Sequence, residues 1–297
     1  KNEVRSGSGS VISTAMNFDE HVFYIKNNDT LKTKFSTDYS IRFDHDTLKG
    51  KLIVKDKSQT SNSSAHFRLG KNNDLNLLAT YRKLENQDNT QNIPDEETIM
   101  GRFDWNAALF KKHIRSELTY ATGTGRERKR EFVFLPVPTG EGTHDYKDFN
   151  NDSLGNGENS IFDLNEFFVA NTFDQRNYIK IWVATDTFIQ VFTNNFNYRL
   201  NITAPRSWRA KKGFRLFISK FSNVTAWNID RKSTDNDVFN RFNPFITQIE
   251  DTNLRSINES IRTTLFFNRT NPTYGLDFNY YVIKHKQLLT NGFELRS

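Results

Sequence analysis

The sequence predicts an all-β protein built as an antiparallel up-and-down meander. Apolar and polar residues alternate with a period of two along most of the chain, as they do in strands that have one apolar and one polar face. Clusters of Asn, Asp, Gly and Pro separate these segments, and almost no segment has the period of an α-helix. Short turns between successive strands favour antiparallel neighbours.

The alternating segments follow one another along the chain. In 33–43 the aromatic and aliphatic residues Phe35, Tyr39 and Ile41 lie on one face, and Lys34 and Asp38 lie on the other. The same alternation recurs at 75–81, 101–107, 114–120, 192–202, 214–218, 257–267, 274–282 and 289–295. Turns are predicted at 27–29, 71–74, 268–272 and 284–286, and the best helix candidate is the short segment 163–170.

One face of these strands is unusually polar for a protein core. An outer-membrane β-barrel has such a face toward its lumen, and a β-sandwich has one toward solvent. The length of the strands favours the barrel, because a bilayer crossing takes about 9–11 tilted residues. Two charged residues are in phase with apolar ones, Lys220 with Ile218 and Glu259 with Ile257, so in a barrel they must lie near the membrane interface.

Composition restricts the classes of partner and site. Aromatic residues make up 14% of the 297 residues, which suits the aromatic girdles of a membrane barrel. The chain has no Cys, so it can form neither disulfides nor thiolate metal sites. The net charge of +6 could suit a phosphate-rich partner such as lipopolysaccharide or nucleic acid. Charges of both signs are scattered, however, and we predict no nucleic-acid partner.

We expect a single antiparallel β domain over residues 1–297, which is a fragment of a larger chain. Residues 1–122 and 178–297 form the meander, and 123–177 form an inserted loop region. This region begins with a turn at Gly123 and Gly125 and a basic run, Arg126–Arg130. The run could bind lipid phosphates, although Glu127 and Glu131 reduce its net charge.

Residues 148–166 of the loop region predict a structural calcium site. Without the insert 153–159, the remaining twelve residues match the spacing of an EF-hand loop, whose oxygen ligands alternate along the chain. Ser160 replaces the usual Gly at the sixth position, and Gly155 and Gly157 of the insert could make the turn instead. The alternative is an acidic surface loop without an ion. The predicted ligands are Asp148, Asn150, Asp152, Ile161 through its carbonyl oxygen, Asp163 and Glu166.

The segment from Arg130 to Ala170 resembles part of large outer-membrane proteins of Bacteroidota. Those proteins carry a pattern like REFxYLxVPxGxGxYxWxDYNGDG followed by LNEFE. The matching residues here are Arg130–Phe134, Val137, Pro138, Gly140, Gly142, Asp145, Asp148, Asn150, Asp152, Leu164, Asn165, Glu166 and Phe167. The resemblance covers about residues 75–297 and implies a β-sheet protein of the cell envelope without an established activity. The insert and Ser160 depart from this pattern.

No motif in the sequence names a reaction. The six His residues lie in different segments without paired metal-ligand spacing, and there is no HExxH or GxSxG motif. Asp95, Glu96 and Glu97 could serve glycoside chemistry, but Pro94 favours a solvated turn. We therefore predict that the chain is not an enzyme, with a carbohydrate-active enzyme as the weakest alternative.

The sequence thus predicts a non-enzymatic outer-membrane β-barrel protein, acting as a transport pore or as the scaffold of a cell-surface complex. Its partners would be outer-membrane lipid and other envelope proteins, and its ion would be calcium. The main alternative is a soluble, secreted β-sandwich module that binds glycan or protein with the help of calcium.

Overall fold

The computed structural model describes residues 17–28, 30–48, 51–87, 95–149, 167–246, 253–289 and 292–296. Within these ranges the chain forms thirteen strands and three short helical turns. The strands are β1 (Asn17–Lys26), β2 (Thr33–Leu48), β3 (Lys51–Arg68), β4 (Asn73–Asn86), β5 (Glu96–Leu109), β6 (Ile114–Pro136), β7 (His144–Tyr146), β8 (Phe167–Val169), β9 (Tyr178–Thr203), β10 (Phe221–Ser233), β11 (Leu254–Phe267), β12 (Leu276–Leu289) and β13 (Gly292–Arg296). A 3-10 turn (Arg206–Ala210) and the helices α1 (Phe214–Ile218) and α2 (Val238–Phe242) complete the structure.

The strands form an antiparallel sheet in which nearly every strand pairs with its neighbour in the sequence. The hydrogen-bonded order is β1-β2-β3-β4-β5-β6-β9-β10-β11-β12-β13, and β7 pairs with β8 and with β9. This order confirms the predicted all-β antiparallel up-and-down meander. In the described part of the chain, hydrogen bonds do not close the sheet on itself.

The chain divides into two compact units. The first contains residues 1–125 and 191–285, and the second contains 126–190 and 286–296. The strands β6, β9 and β12 each contribute residues to both units. The sequence alone predicts one domain, and that organisation stays a prediction.

In the first unit most of the apolar residues of β1–β5 lie on one face of the sheet, as the alternation predicts, although Val22, Tyr24, Leu78 and Met100 lie on the opposite, mainly polar face. We define the apolar face of β1–β5 by Phe23 of β1 and the residues in register with it, beginning with Tyr39 of β2. Across β3–β5 this row continues through Ser61, Tyr81 and Ile99. The rings of this face are exposed: 65% of Phe23, 41% of Tyr81 and 37% of Tyr39 are accessible to solvent. No second layer of described residues covers them.

The polar face of the same strands is hydrogen-bonded from strand to strand. Asn62 of β3 donates to the Asp38 carboxylate of β2 at 2.8 Å and accepts from the Thr80 hydroxyl of β4 at 2.9 Å. Thr119 of β6 donates to the Asp104 carboxylate of β5 at 2.8 Å. The polar side chains therefore satisfy one another along the face instead of packing against an apolar layer.

The main hydrophobic core of the first unit is small and lies where the middle of β9 meets the end of β10 and the start of β11. Its buried residues are Phe192, Phe196, Ile229, Leu254 and Ile257. The connection between β10 and β11, which contains α2, covers them. Phe245 of this connection packs against the rings of Phe196, at 5.0 Å, and Trp227, at 5.2 Å.

Several local predictions from the sequence are wrong. Residues 214–218 form helix α1 and not a strand, because Gly213 enters a left-handed conformation (φ 70°) and the Phe217 ring then packs against Phe221 at 5.2 Å. The helix predicted to run from 163 to 170 is replaced at Phe167–Val169 by a strand. The turn predicted at 284–286 lies inside β12, and the turn predicted at Gly123 and Gly125, like the basic run after it, lies inside β6.

The two charges in phase with apolar residues have separate explanations. Lys220 lies outside the strands, in the turn after α1. Glu259 is buried on the apolar side of β11, where the Trp227 indole N–H donates to it at 3.3 Å and the Lys284 ammonium lies 3.5 Å away. A buried carboxylate is tolerated where such partners compensate its charge.

Candidate functional site

The two ends of the predicted calcium loop meet in the second unit. Strand β7 pairs with β8, so that Tyr146 lies opposite Phe167 and His144 opposite Val169. Residues 147–166 therefore connect two strands that are hydrogen-bonded to each other. An EF-hand loop needs its first and last ligands close together around one ion, and this hairpin brings the two ends of the loop together.

Asp148 is the one predicted ligand within the described residues. It is half-buried, and it follows β7 by two residues. Beside it the Lys147 ammonium lies 5.3 Å from the centre of the Phe149 ring. Asn150, Asp152, Ile161, Asp163 and Glu166 lie outside the described residues. Among the residues that are described, no group of three or more His, Asp or Glu is placed to hold a metal ion. The calcium site stays a prediction.

An aromatic cluster supports the hairpin. The Phe167 ring stacks on Phe134 of β6 at 4.0 Å and packs edge-on against Tyr178 of β9 at 5.1 Å. Tyr146, on the other side of the loop, lies 5.1 Å from Phe167. Phe134 and Phe167 are both buried. Aromatic pairs of this kind stabilise by about 0.5–1.5 kcal/mol beyond the burial of their area, so the cluster stabilises the pairing of β7 with β8.

The segment before β7 lies against the backbone just before β9. The N–H groups of Val137, Gly140 and Gly142 donate to the carbonyl groups of Asn177, Gln175 and Arg176 at 2.7–2.8 Å. At Gly142 the two backbones are so close that a Cβ atom would lie 2.5 Å from the Arg176 carbonyl oxygen. Only glycine fits there. Val137, Gly140 and Gly142 belong to the pattern of the predicted resemblance. Their backbone hydrogen bonds hold the segment before β7 in place, and none of the three is a predicted ligand.

His144 of β7 is a titratable group at the base of the predicted calcium loop. Its Nδ1 atom lies 2.9 Å from the Thr143 hydroxyl, and its ring lies 5.1 Å from Phe134. Burial lowers the pKa of His144, and the positive charge of Lys180 lowers it further. The neutral imidazole is therefore favoured in the folded hairpin.

A second site, which the sequence analysis missed, centres on a buried arginine in the first unit. Arg231 of β10 is completely buried, and no described carboxylate forms an ion pair with it. Its guanidinium donates to the Asn194 side-chain oxygen at 3.1 Å, to the Ile246 carbonyl at 2.8 Å and to the Asn240 carbonyl. Burial lowers the pKa of Arg231, and the nearby Asp235 carboxylate opposes that shift. A buried cation needs several such dipoles to stay ionised.

Asn194 of β9 completes this network. Its side-chain N–H₂ group donates to the Tyr120 hydroxyl at 3.0 Å and to the Arg241 carbonyl at 2.8 Å. The Arg241 guanidinium in turn lies 4.1 Å from the centre of the Phe192 ring and donates to Thr124 at 2.8 Å. Arg231 and Asn194 together therefore attach the α2 connection to the sheet through its backbone.

The comparisons with known proteins give no relative. No family model matches the chain, and no curated protein matches it. Within the described ranges, no helix is both long and apolar enough to cross a membrane. The resemblance to outer-membrane proteins of Bacteroidota stays a prediction from the sequence.

Calcium binding can be measured by titrating calcium into the ion-free protein in a calorimeter. We expect one site, and we expect both Asp148→Ala and Glu166→Ala to abolish it, because each removes a carboxylate ligand. Glu141→Ala, in the exposed turn before β7, serves as the control and should bind as the parent protein does. Unchanged binding in both ligand variants would refute the assignment.

The hairpin is expected to lose stability as the pH falls below about 6.5, the ordinary pKa of histidine. The pKa of His144 is lower in the folded state, so unfolding takes up a proton between the two pKa values and stability decreases across that window. Hydrogen exchange of residues 142–146 without calcium, at pH values from 7.5 to 5, measures this. His144→Gln should remove most of the pH dependence of this segment, and the exposed His21→Gln should not. A pH dependence that survives His144→Gln contradicts the assignment.

Replacement of Arg231 by Met is expected to lower the free energy of unfolding by roughly 3 kcal/mol, since it leaves buried acceptors on Asn194, Asn240 and Ile246 without a donor. Arg231→Lys should be destabilised as well, because one ammonium cannot reproduce the planar set of donors. Denaturant unfolding measures both, with Arg199→Met on an exposed position of β9 as the control. Equal stability of Arg231→Met and Arg199→Met would show that the network contributes little.

Proposed function

We propose that the meander is the strand wall of an outer-membrane β-barrel, which acts without catalysis as a pore or as the scaffold of a surface complex. The observation that carries the proposal is the exposure of the aromatic rings on the apolar face of β1–β5, next to a polar face whose side chains bond to one another. A soluble sandwich buries such rings between two layers. A barrel in a membrane presents them to lipid.

The dimensions of the apolar face suit a bilayer. On β2 it extends over nine residues from Phe35 to Phe43. At about 3.3 Å per residue this is roughly 26 Å along the strand, and nine residues lie within the range of about 9–11 tilted residues that one bilayer crossing takes. At the Phe43 end of this stretch the face becomes charged on the neighbouring strands: Lys57, opposite Phe43, lies 3.1 Å from Glu85, which is also 2.9 Å from Lys83. We assign this ion cluster to the membrane interface.

The opposite face has the chemistry of an aqueous lumen. Besides the Asp38–Asn62–Thr80 chain of hydrogen bonds, it carries the bidentate pair of Arg102 and Asp104, with a shortest distance of 2.7 Å. Charged and amide groups of this density favour contact with water or with a polar solute. In this proposal the calcium loop stiffens an extracellular or plugging loop and takes no part in passage through the pore.

Detergent dependence tests the proposal. We expect the purified chain to stay monodisperse only in detergent or lipid, and to fractionate with the outer membrane of cells that produce it. A monodisperse protein in plain buffer would refute the barrel and favour the calcium-dependent sandwich module. Cleavage of any polysaccharide by the purified protein would refute the absence of catalysis.

Two adjacent leucines of β4 provide a matched test of the lipid-facing side. Leu77 lies between Ala65 and Phe103 on the apolar face, and Leu78 lies between Ser64 and Arg102 on the polar face. Both are partly exposed. We expect Leu77→Arg to lower the stability of the membrane-folded protein by about 1–3 kcal/mol and Leu78→Arg to leave it nearly unchanged, because only the first would place a charge in lipid. Denaturant titration of refolding into vesicles measures the difference. Equal effects of the two substitutions would contradict the proposal.

A further inference from the structure

The connection between β9 and β10, residues 204–220, is strongly basic. Its seventeen residues contain six cations and no acidic residue, namely Arg206, Arg209, Lys211, Lys212, Arg215 and Lys220. Two aromatic rings are exposed on the same connection, Phe214 by 74% and Phe217 by 52%. Exposed rings among clustered cations are typical of segments that lie at a membrane surface.

A cationic cavity lies between this connection and the turn from β11 to β12. Its volume is about 550 Å³, and Arg209, Lys220 and Arg269 are among the residues that line it, together with Ser219 and Thr270. The two segments are joined at Asn268, whose backbone N–H donates to the Lys220 carbonyl at 2.7 Å. Asn268 is buried in a left-handed conformation (φ 60°), which directs the turn toward Lys220. Three cationic residues around one cavity favour a phosphate group.

An apolar cavity of about 520 Å³ adjoins the cationic one. It is lined mainly by apolar residues, among them Phe110, Ile114, Ile202, Trp208, Ile218 and Leu265. The two cavities share a wall made of Thr203, Ala204, Phe221 and Ser222. A hydrogen bond from the Thr203 N–H to the His113 carbonyl, at 2.8 Å, holds the 110–113 turn against this wall. Among the described residues, no acidic side chain lines either cavity.

We propose that these two cavities bind one anionic phospholipid. The phosphate lies among Arg209, Lys220 and Arg269, and an acyl chain occupies the apolar cavity beneath Trp208. The pairing of a cationic with an apolar cavity matches an amphiphile better than it matches a free anion, which has no use for the second cavity. Volumes of this size are usual for sites that bury most of a small ligand. The inference rests on the proposed function in one respect only: a barrel in a membrane would encounter the lipid there.

Native mass spectrometry of the delipidated, detergent-solubilised protein tests the site, with phosphatidylglycerol and phosphatidylcholine as probes. We expect phosphatidylglycerol to bind at least tenfold more tightly than phosphatidylcholine. The triple variant Arg209→Gln, Lys220→Gln, Arg269→Gln should lose at least tenfold in its affinity for phosphatidylglycerol. The control triple variant Arg82→Gln, Arg115→Gln, Arg199→Gln changes the net charge equally at exposed positions of the polar face and should retain binding. Equal loss in both triple variants would overturn the site and leave a nonspecific charge effect.

Two further probes separate the lipid from a free phosphate. Inorganic phosphate and glycerophosphoglycerol, which lack acyl chains, should compete at least tenfold more weakly than the intact lipid. Equal competition would mean a phosphate site only and would overturn the assignment of the apolar cavity. Circular dichroism of each variant verifies the fold. A protein that is monodisperse without detergent but still binds phosphatidylglycerol refutes the barrel and keeps the site. A detergent-dependent protein that binds none refutes only the site.

Discussion

The backbone register of the antiparallel ladder is the constraint on which the rest of this structure depends. Side chains alternate between the two faces, so a slip of one residue would move a whole row of rings to the opposite face. The register is continuous from Phe35 to Phe43 of β2, and a bulge shifts it only at Asp44/His45. A second bulge lies at Lys232/Ser233, at the end of β10. The first irregularity lies just past Phe43, where the apolar stretch of β2 ends. The second lies beside the hydrophobic core, since Ser233 is opposite both Phe192 and Leu254.

The alternation predicts those strands whose faces differ clearly in polarity. β2 and β4 are of this kind, with Phe35 and Leu77 on one side and Asp38 and Thr80 on the other. β3 is much harder to predict, because its central residues are mostly Ser, Asn and Thr and favour a strand only through their neighbours across the ladder. Segment 214–218 shows the opposite error: three alternating residues are too few to distinguish a strand from a single turn of helix.

The two sites differ in how far the sequence alone could predict them. The two ends of the predicted calcium loop are close in the sequence, so the spacing of residues around Asp148 could predict that both belong to one loop. It could not predict that β7 and β8 would pair with each other. Arg231 depends on residues far apart in the chain, Asn194 and Ile246, and no local pattern joins them. One signal was present: Arg231 is in phase with Trp227 and Ile229, so the alternation itself places a cation on an apolar face. A buried cation of this kind needs hydrogen-bond acceptors, and here backbone carbonyl groups of the α2 connection supply two of them.

The connection from β6 to β9 has a consequence for the order of folding. Most neighbouring strands are joined by short links, of which the two residues between β2 and β3 are an example, whereas 41 residues separate Pro136 from Tyr178. By chain statistics, closing the longer link costs roughly 2–3 kcal/mol more in entropy. Pairing of β7 with β8 divides this link into smaller loops, and an ion bound between 148 and 166 would hold the division in place. Because of this entropic cost, β6 and β9 would pair late in folding. The rate of that pairing would depend on the calcium concentration during refolding, because the bound ion would keep the link divided.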